Sequence, residues 1–291
     1  LKSDIVDFNP ESLHPGGFIL FRREHREDGI KKLHKKLIRT RKGVEESWIT
    51  VDELHREFDH LIFSVSADLF LPCGGRPETI DGKNWQKMIT KNGTPTAKVI
   101  VEGANSYITP DAREELQKRG VVIIRDASAN KCGVISSSYE IIANLLMGEK
   151  EFLKNKDAYV RDVLTILDKR ARDEANLIFR RHGGSDTLPL YTHISDAISR
   201  EINEHYMNLF SFFHNRPHLL DKSLFRKVLL NHLPAFIKEN GKYKTRIKGL
   251  PLKLKSAILA VEIATSIVYG GGWEINLEKR LQEYLKTYFS R

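Results

Sequence analysis

Val121-Val-Ile-Ile-Arg-Asp-Ala-Ser-Ala-Asn-Lys-Cys-Gly-Val-Ile-Ser-Ser-Ser138 contains a strand, a polar loop and the start of a helix. Its first four residues are β-branched and apolar, which predicts a buried strand. Polar and small residues follow from Asp126 to Gly133, and the apolar spacing from about Val134 to Leu146 predicts a helix. A buried strand that leads through a loop into a helix is typical of the parallel sheets of α/β proteins.

Two earlier segments predict strands of the same sheet. Ala67-Asp-Leu-Phe-Leu-Pro72 reads as a buried strand that ends at a Pro and a Gly-Gly turn, and Lys98-Val-Ile-Val-Glu102 reads as another that ends at Gly103. A helix is predicted from Thr109 to Arg119, since Thr109 suits the N-cap and is followed by Pro. These elements predict a partial Rossmann-like parallel sheet.

The sequence beyond Gly148 contains no convincing strand and predicts an all-helical region. Apolar residues recur there at helical spacing in five segments: Asp157 to Arg181, His193 to Phe213, Lys222 to Lys238, Leu252 to Tyr269 and Leu277 to Tyr288. We therefore expect an α/β chain of two domains. Residues 1–148 would contain the parallel sheet, and residues 149–291 would form a helical C-terminal domain.

The N-terminal segment is predicted to contain one strand and one helix. Gly17-Phe-Ile-Leu-Phe21 has the composition of a strand. In Gly29 to Lys42, apolar residues at helical spacing lie among Lys and Arg, which predicts an amphipathic helix with a solvated basic face. Because the chain starts at Leu1 and shows no helix start or complete strand in its first ten residues, we expect that it was cut from a longer protein.

Composition excludes several classes of protein. The best apolar stretch, Ser256 to Tyr269, is interrupted by Glu262 and is too short to span a bilayer. Cys73 and Cys132 show no CxxC spacing, so neither a disulfide scaffold nor a zinc site is indicated, no metal is expected, and a cytoplasmic location fits best. The net charge of +9 comes mostly from the C-terminal half and does not by itself identify a partner.

Three loops are the candidate ligand-binding positions, because dinucleotide-binding sheets bind at the carboxyl ends of their strands. They are Pro72 to Gly75, Gly103 to Asn105 and Asp126 to Asn130. Small residues there allow close approach of a ligand, and Asn and Ser supply donors and acceptors. The first helical turn with Ser136 to Ser138 could seat a carboxylate or phosphate, although ordinary capping by Ser explains these residues equally well.

Three runs of residues resemble the large NAD-specific glutamate dehydrogenase family. They are Ala67 to Glu78, Val101-Glu-Gly-Ala-Asn105 and Val121 to Glu140, and they occur in the order found in that family. The resemblance extends over most of the chain and is weakest in Gly29 to Lys42. It implies reversible oxidative deamination of L-glutamate to 2-oxoglutarate and ammonia, with NAD as the hydride carrier.

The resemblance also implies roles for individual residues. Asn105 and Asn130 would contact the nicotinamide amide or its ribose. Val134 would pack on the substrate, and Ser137 would hydrogen-bond its side-chain carboxylate. Further residues would line the dinucleotide path: Pro72, Cys73, Gly74, Gly103 and Ala104. Cys132 stands where the family often has Gly, which keeps a small residue there.

The chain also departs from the family pattern. It contains no GxGxxG, so the pyrophosphate-binding turn is absent. The resemblance therefore implies that residues 1–148 form a partial dinucleotide-binding, Rossmann-like domain that lacks its first strand-helix unit. The family's catalytic lysine and aspartate lie in a separate domain ahead of that turn, so no catalytic residue is named. We therefore expect a fragment that is inactive alone, needs the missing N-terminal catalytic domain, and belongs to a homo-oligomer.

Two other functions stay open at this point. Another amino-acid dehydrogenase of the Glu/Leu/Phe/Val type would share the nucleotide loops, although a pocket for an apolar side chain disfavours a hydroxyl at Ser137. Alternatively, the basic segment Lys242 to Lys255, with six Lys and Arg and no acid, could make the helical half a nucleic-acid-binding or regulatory module.

Overall fold

The structure, a computed structural model, describes residues 11, 18–29, 31–50, 52–53, 56, 60–74, 76–185 and 188–270. The chain divides into two compact units, Leu1–Ala67 and Asp68–Arg291. The predicted helix Leu277 to Tyr288 lies outside the described residues. Each unit is described by itself below.

The first unit contains an antiparallel sheet of three strands in the order β1-β2-β3. The strands are β1 (Phe18–Asp28), β2 (Lys31–Thr40) and β3 (Gly43–Thr50). Gly29, with a φ of 61°, follows β1 directly, which explains a glycine at that turn. The predicted strand at Gly17 to Phe21 is confirmed and continues to Asp28.

The predicted amphipathic helix from Gly29 to Lys42 is wrong, because this segment forms β2. Leu33 and Leu37 are four residues apart, a spacing that puts two side chains on one face of a helix and also on one face of a strand. Strand pairing on both sides of β2 decides between the two structures, with Leu37 opposite Ile19 on β1 and Glu46 on β3. Tertiary pairing therefore overrides the local pattern.

The second unit begins with a partial Rossmann-like parallel sheet in the order β4-β5-β6. Its strands are β4 (Ala67–Phe70), β5 (Ala97–Val101) and β6 (Val122–Ile124). β5 and β6 pair in parallel, with Ile100 opposite Ile123, and both of these side chains are fully buried. The expected fold class, a partial Rossmann-like sheet followed by helices, is confirmed.

The prediction that β4 is buried is wrong. Ala67, Asp68 and Leu69 are exposed, and Leu69 keeps 49% of its surface accessible. β4 lies at one edge of the sheet, so its side chains lack a neighbour on one side. An apolar strand sequence indicates that one face of the strand is suited to burial. It does not show that the same chain covers that face.

Three helices follow the strands β5 and β6. They are α1 (Pro110–Gln117), α2 (Asp126–Ala129) and α3 (Cys132–Leu146). Pro110 occupies the first turn of α1 as the sequence predicts, and Thr109 is its N-cap residue in extended conformation without a side-chain capping bond. α2 was expected to be part of a loop; it is a single helical turn that leads into α3.

The remainder of the second unit is helical in its described residues. The helices are α4 (Glu149–Gly183), α5 (Tyr191–His214), α6 (Ser223–His232), α7 (Ala235–Glu239), α8 (Gly241–Arg246) and α9 (Leu252–Tyr269). The predicted single helix Lys222 to Lys238 is interrupted at Leu233 and Pro234, because proline lacks the N–H that a continuous helix needs. Among the described residues, no helix has both the length and the apolar character required to cross a bilayer.

The basic segment Lys242 to Lys255 forms regular secondary structure. It forms α8, the 3₁₀ turn Ile247–Gly249 and the start of α9, and it buries Tyr243 and Ile247. Its cations are partly neutralised within the chain, since Arg246 Nη1 lies 2.7 Å from Glu151 Oε2. This pairing removes charge that a nucleic-acid surface would need.

One large apolar core joins α3 to the helices after it. α9 packs against α5 and α6, and α3 packs against α4. Fully buried side chains from these helices meet in the core, among them Ile142, Phe213, Val228 and Ile263. The expected domain boundary at Gly148 stays a prediction; this residue lies inside the second compact unit, between α3 and α4.

Candidate functional site

The three predicted loops meet at the carboxyl ends of the parallel strands. The loop after β4 contacts the loop after β5, because the N–H of Ala104 donates to the carbonyl of Pro72 at 2.7 Å. The residue that closes α2, Asn130, reaches the same place through its side chain. A short sheet therefore brings together residues that are up to 58 positions apart in the sequence.

Gly103 lies in close contact with the loop after β4. A Cβ atom at this position would lie 3.0 Å from Cys73 Sγ and 3.3 Å from the carbonyl oxygen of Pro72. Any larger residue would push the two loops apart. Pro72 is buried in this contact, whereas Cys73 and Gly74 are exposed.

Two asparagine side chains form the centre of the site. Asn130 Nδ2 donates to Asn105 Oδ1 at 2.5 Å and lies 3.4 Å from the carbonyl oxygen of Gly103. Asn105 is exposed, so the pair stands at the surface. Since each amide carries two donor hydrogens and an acceptor oxygen, the pair retains capacity to bind a ligand amide or hydroxyl.

Asp126 fixes the loop that carries Asn105. Its carboxylate accepts hydrogen bonds from the N–H of Ser106 at 2.8 Å and from the N–H of Ala127 at 2.8 Å. Ser106 has a φ of 51°, a conformation that costs a non-glycine residue energy unless its surroundings hold it. The Asp126 carboxylate provides that restraint, and it thereby ties the loop after β5 to α2.

A buried ion pair lies beneath the two loops. Glu102 has no exposed surface, and it accepts from Arg113 Nε at 2.7 Å, from Arg113 Nη2 at 3.1 Å and from the N–H of Ile108 at 3.0 Å. Arg113 Nη2 also lies 3.5 Å from Asp126 Oδ1. The guanidinium thus connects the end of β5 to the start of α2. Its positive charge also compensates the negative charge of the Glu102 carboxylate, which burial would otherwise disfavour strongly.

The environment of Asp126 keeps its carboxylate ionised. Burial opposes ionisation, but the N–H groups of Ser106 and Ala127 and the charge of Arg113 outweigh it, so the pKa of Asp126 lies below its ordinary value. The charged form is the one that accepts these hydrogen bonds. The loop restraint therefore persists across neutral pH.

The first turns of α3 present the two residues predicted to meet the substrate. Val134 keeps 79% of its surface accessible, and Ser137 is exposed three residues later, on the same face. Asn130 lies just ahead of α3, and its carbonyl accepts from the N–H of Gly133 at 3.1 Å. The predicted cofactor-facing and substrate-facing residues are therefore neighbours along one continuous turn.

The serine hydroxyls do not cap α3 as the ordinary interpretation predicts. Ser136 and Ser137 donate to the carbonyl of Gly133 at 2.8 and 3.3 Å, and Ser138 donates to the carbonyl of Ile135 at 2.7 Å. Lys131 occupies the N-cap position without a side-chain capping bond. The N–H of Gly133 already donates to the carbonyl of Asn130, so the predicted anion site has fewer backbone N–H groups available than expected. Its remaining polar groups are chiefly serine hydroxyls.

Sequence reasoning missed the residues that organise the site, namely Glu102, Arg113 and Asp126. A signal for Glu102 was present, because a carboxylate directly after a buried strand has to find a partner. Its partner lies 11 residues later on α1 and could not be identified from spacing. Within the described ranges, no three His, Cys, Asp or Glu side chains gather in a way that could hold a metal ion.

A family model for glutamate/leucine/phenylalanine/valine dehydrogenases matches residues 20–178. The chain belongs to this family. The matched range contains the parallel sheet, the three loops and α3. The resemblance drawn from the three sequence runs is confirmed.

Named relatives are similar over most of this chain. A probable NAD-specific glutamate dehydrogenase of Schizosaccharomyces pombe is 34% identical over 74% of the chain and 20% of its own length. The NAD-specific glutamate dehydrogenase of Neurospora crassa is 35% identical over 73% of the chain and 21% of its own length. The NADP(+)-dependent glutamate dehydrogenase of Pyrobaculum calidifontis is 47% identical over 18% of the chain and 13% of its own length. The chain thus spans about a fifth of the length of the first two relatives.

Proposed function

We propose that this chain provides the nicotinamide end of the NAD site, and the helix that faces the substrate, in an NAD-dependent glutamate dehydrogenase. The reaction would be the reversible oxidative deamination of L-glutamate to 2-oxoglutarate and ammonia. One observation carries the proposal: the Asn105 and Asn130 amides meet at the ends of adjacent parallel strands, directly ahead of a helix that exposes Val134 and Ser137. Ligands of open α/β sheets bind at this edge.

The residues of this site fit an NAD nicotinamide. The carboxamide of the ring needs donors and acceptors together, which neutral Asn side chains supply. Bound NAD would accept the hydride from the substrate α-carbon. Asn105 and Asn130 would orient the nicotinamide ring. Gly103, which has no side chain, would leave room for the dinucleotide where two loops are in close contact. The remaining lining would come from Pro72, Cys73, Gly74 and Ala104.

The substrate would lie against the exposed face of α3. Val134 would pack on the carbon chain of glutamate. The Ser137 hydroxyl, which now donates to the carbonyl of Gly133 at a long 3.3 Å, would turn to the side-chain carboxylate. Hydrogen bonds to charged groups are worth about 1.5–3 kcal/mol, so this exchange is favourable.

A second protein region has to complete the reaction centre. We assign no catalytic acid or base to this chain, and we place those groups in a catalytic domain that packs over α3. Exposed apolar side chains on α3 support such a cover, since Ile141 and Leu145 keep 54% and 46% of their surfaces accessible. We further propose a homo-oligomer located in the cytoplasm; two free cysteines fit a reducing compartment.

Replacing Ser137 tests the substrate assignment in the complete enzyme that contains this chain. We expect Ser137→Ala to raise the KM for glutamate by about 10-fold or more, the equivalent of losing one charge-assisted hydrogen bond. Ser136→Ala is the matched control, because Ser136 donates to the same carbonyl but is only partly exposed. Equal effects of the two substitutions would contradict the role of Ser137.

Comparing substrates separates glutamate from the other amino acids of the family. The complete enzyme should oxidise glutamate in preference to leucine, because a hydroxyl beside the side-chain pocket suits a carboxylate better than a methyl group. The 291-residue chain alone should not oxidise reduced nicotinamide with 2-oxoglutarate and ammonia. Preference for leucine would favour the other dehydrogenases, and activity of the isolated chain would show that no second region is needed.

A further inference from the structure

A cavity of about 380 Å³ lies among the helices of the second unit, behind α3. It is bounded by residues of α3, α4, α5, α6 and α9. Its volume falls within the range of about 300–1,000 Å³ typical of small-molecule sites. Several wall residues, such as Tyr206 and Ala257, are only partly buried, so the cavity can be reached from solvent.

The walls of the cavity are mainly apolar, and the charged groups among them are basic. Lys131, Arg170 and His232 line it, and no Asp or Glu is among its described lining residues. The carboxylates that pair with these groups stand behind the wall: Glu174 lies 2.6 Å from Lys131 Nζ, and Glu262 lies 2.5 Å from Arg170 Nη2. The charged groups that line the cavity are therefore cations, and its other polar lining groups include hydroxyls.

The basic groups retain hydrogen-bonding capacity toward the cavity. Arg170 donates to Glu262 and to Thr265 Oγ1, at 2.5 and 3.1 Å, yet a guanidinium has five N–H groups. Lys131 has three donors, one of which is directed to Glu174. A carboxylate in the cavity could thus be bound without breaking the pairs that hold these side chains in place.

Aromatic side chains form part of the cavity wall. Tyr139 and His232 are stacked, with ring centroids 5.2 Å apart and planes at 15°. Tyr139 Oη donates to the carbonyl of His232 at 3.1 Å, which fixes the ring of the tyrosine. Tyr139 and His232 keep only 1% and 7% of their surfaces accessible, so the contact area for an aromatic ligand would come chiefly from Tyr206 and Tyr269, which line the cavity and are only partly buried.

We propose that this cavity is a second ligand site, distinct from the strand-end loops, and that it binds a small aromatic monocarboxylate. The apolar walls would surround the ring system, and Arg170 and Lys131 would bind the carboxylate. Ile135 and Tyr139 of α3 line the cavity, one turn or less from Val134 and Ser137 but on the other side of the helix, and Ser138 lines it at the border between the two sides. Binding would therefore stiffen the helix whose other face meets the substrate.

Paired ligands test the role of charge on the 291-residue chain. We expect 2-naphthoate to bind in isothermal titration calorimetry, and the neutral isostere 2-naphthamide to bind at least tenfold more weakly. Amide hydrogen exchange in Cys132–Leu146 should slow with 2-naphthoate and much less with 2-naphthamide. Equal affinities, or no binding of the acid at millimolar concentration, would overturn the proposal.

Filling the cavity tests its location. Ala257→Phe adds a ring at a residue that lines the cavity and replaces no charged group, and it should abolish binding of 2-naphthoate. Ala257→Leu should weaken binding by a smaller factor, which keeps the test valid if the larger substitution alters folding. Ala171→Phe, on the exposed surface of α4, is the control and should bind as the unchanged chain does. Unaltered affinity in both Ala257 variants, with circular dichroism showing native helix content, would place the ligand elsewhere and refute the assignment.

Discussion

The two faces of α3 differ in how far this chain completes them. The inward face is buried, since at most 4% of the residue surface is accessible at Tyr139, Ile142, Ala143 and Leu146. The outward face is also apolar in part, yet Val134, Ile141 and Leu145 keep 79%, 54% and 46% of their surfaces accessible. One amphipathic helix thus serves a core on one side, while its other side is suited to a ligand and a covering domain.

Adjacent isoleucines provide the largest expected contrast between the faces. Ile142→Ala should lower the free energy of unfolding by about 2–5 kcal/mol, because it leaves a cavity in a fully buried position. Ile141→Ala should change it by less than about 0.5 kcal/mol, since the side chain is largely exposed. Urea unfolding of both variants measures the difference. Similar losses at the two positions would show that this chain also buries the outward face.

Two buried tyrosines form hydrogen bonds at the inward face of α3. Tyr159 Oη donates to the carbonyl of Tyr139 at 2.7 Å, and Tyr139 Oη donates to the carbonyl of His232 at 3.1 Å. Tyr139→Phe and Tyr159→Phe should each cost about 1 kcal/mol of unfolding free energy, since each removes one buried hydrogen bond to a carbonyl. Burial raises the pKa of Tyr139 to about 12, so the loss should be the same at pH 6 and pH 9. A loss that varies between those pH values would contradict this explanation.

A surface ion cluster at the start of α4 should produce the smallest effect, and one that depends on pH. The Arg246 guanidinium and the Lys242 ammonium lower the pKa of the Glu151 carboxyl from 4.5 to about 2. A carboxyl whose pKa is depressed in the folded state stabilises the fold above its unfolded pKa, and this stability is lost as the pH falls. The loss should therefore occur as the pH falls from about 4.5 to about 2.

Thermal unfolding of Glu151→Gln checks this prediction. Its Tm should be slightly lower than that of the unchanged chain at pH 7, and the two values should converge near pH 2. Glu149→Gln is a suitable control, because Glu149 lies exposed in the same first turn of α4. A constant difference between Glu151→Gln and the unchanged chain at all pH values would exclude the ion cluster as its cause.

The helices and the short parallel strands could be predicted because local sequence determines them. α9 was predicted with its observed bounds, since Pro251 precedes it and 12 of its 18 residues are apolar and recur at helical spacing. β2 could not be predicted, because a four-residue spacing of leucines fits both a strand and a helix, and only pairing with β1 and β3 resolves it.

The candidate site was predictable in its residues and less so in its construction. Asn105 and Asn130 each follow a buried strand, so the sequence already indicates that they meet. The bond from Ser106 to Asp126 spans 20 residues and depends on a backbone conformation that no residue pattern reveals. Likewise, all three serine hydroxyls donate hydrogen bonds to helix carbonyls, and these bonds depend on side-chain rotamers that the sequence does not reveal.

The central claim, that Asn105 and Asn130 bind the nicotinamide of NAD, can be tested directly by NMR on the 291-residue chain. The side-chain amide resonances of both residues should shift during titration with nicotinamide mononucleotide and shift much less with AMP, which represents the other half of the dinucleotide. Asn130→Ala should remove the response of Asn105. Equal shifts with both nucleotides, or shifts confined to other parts of the chain, would contradict the account.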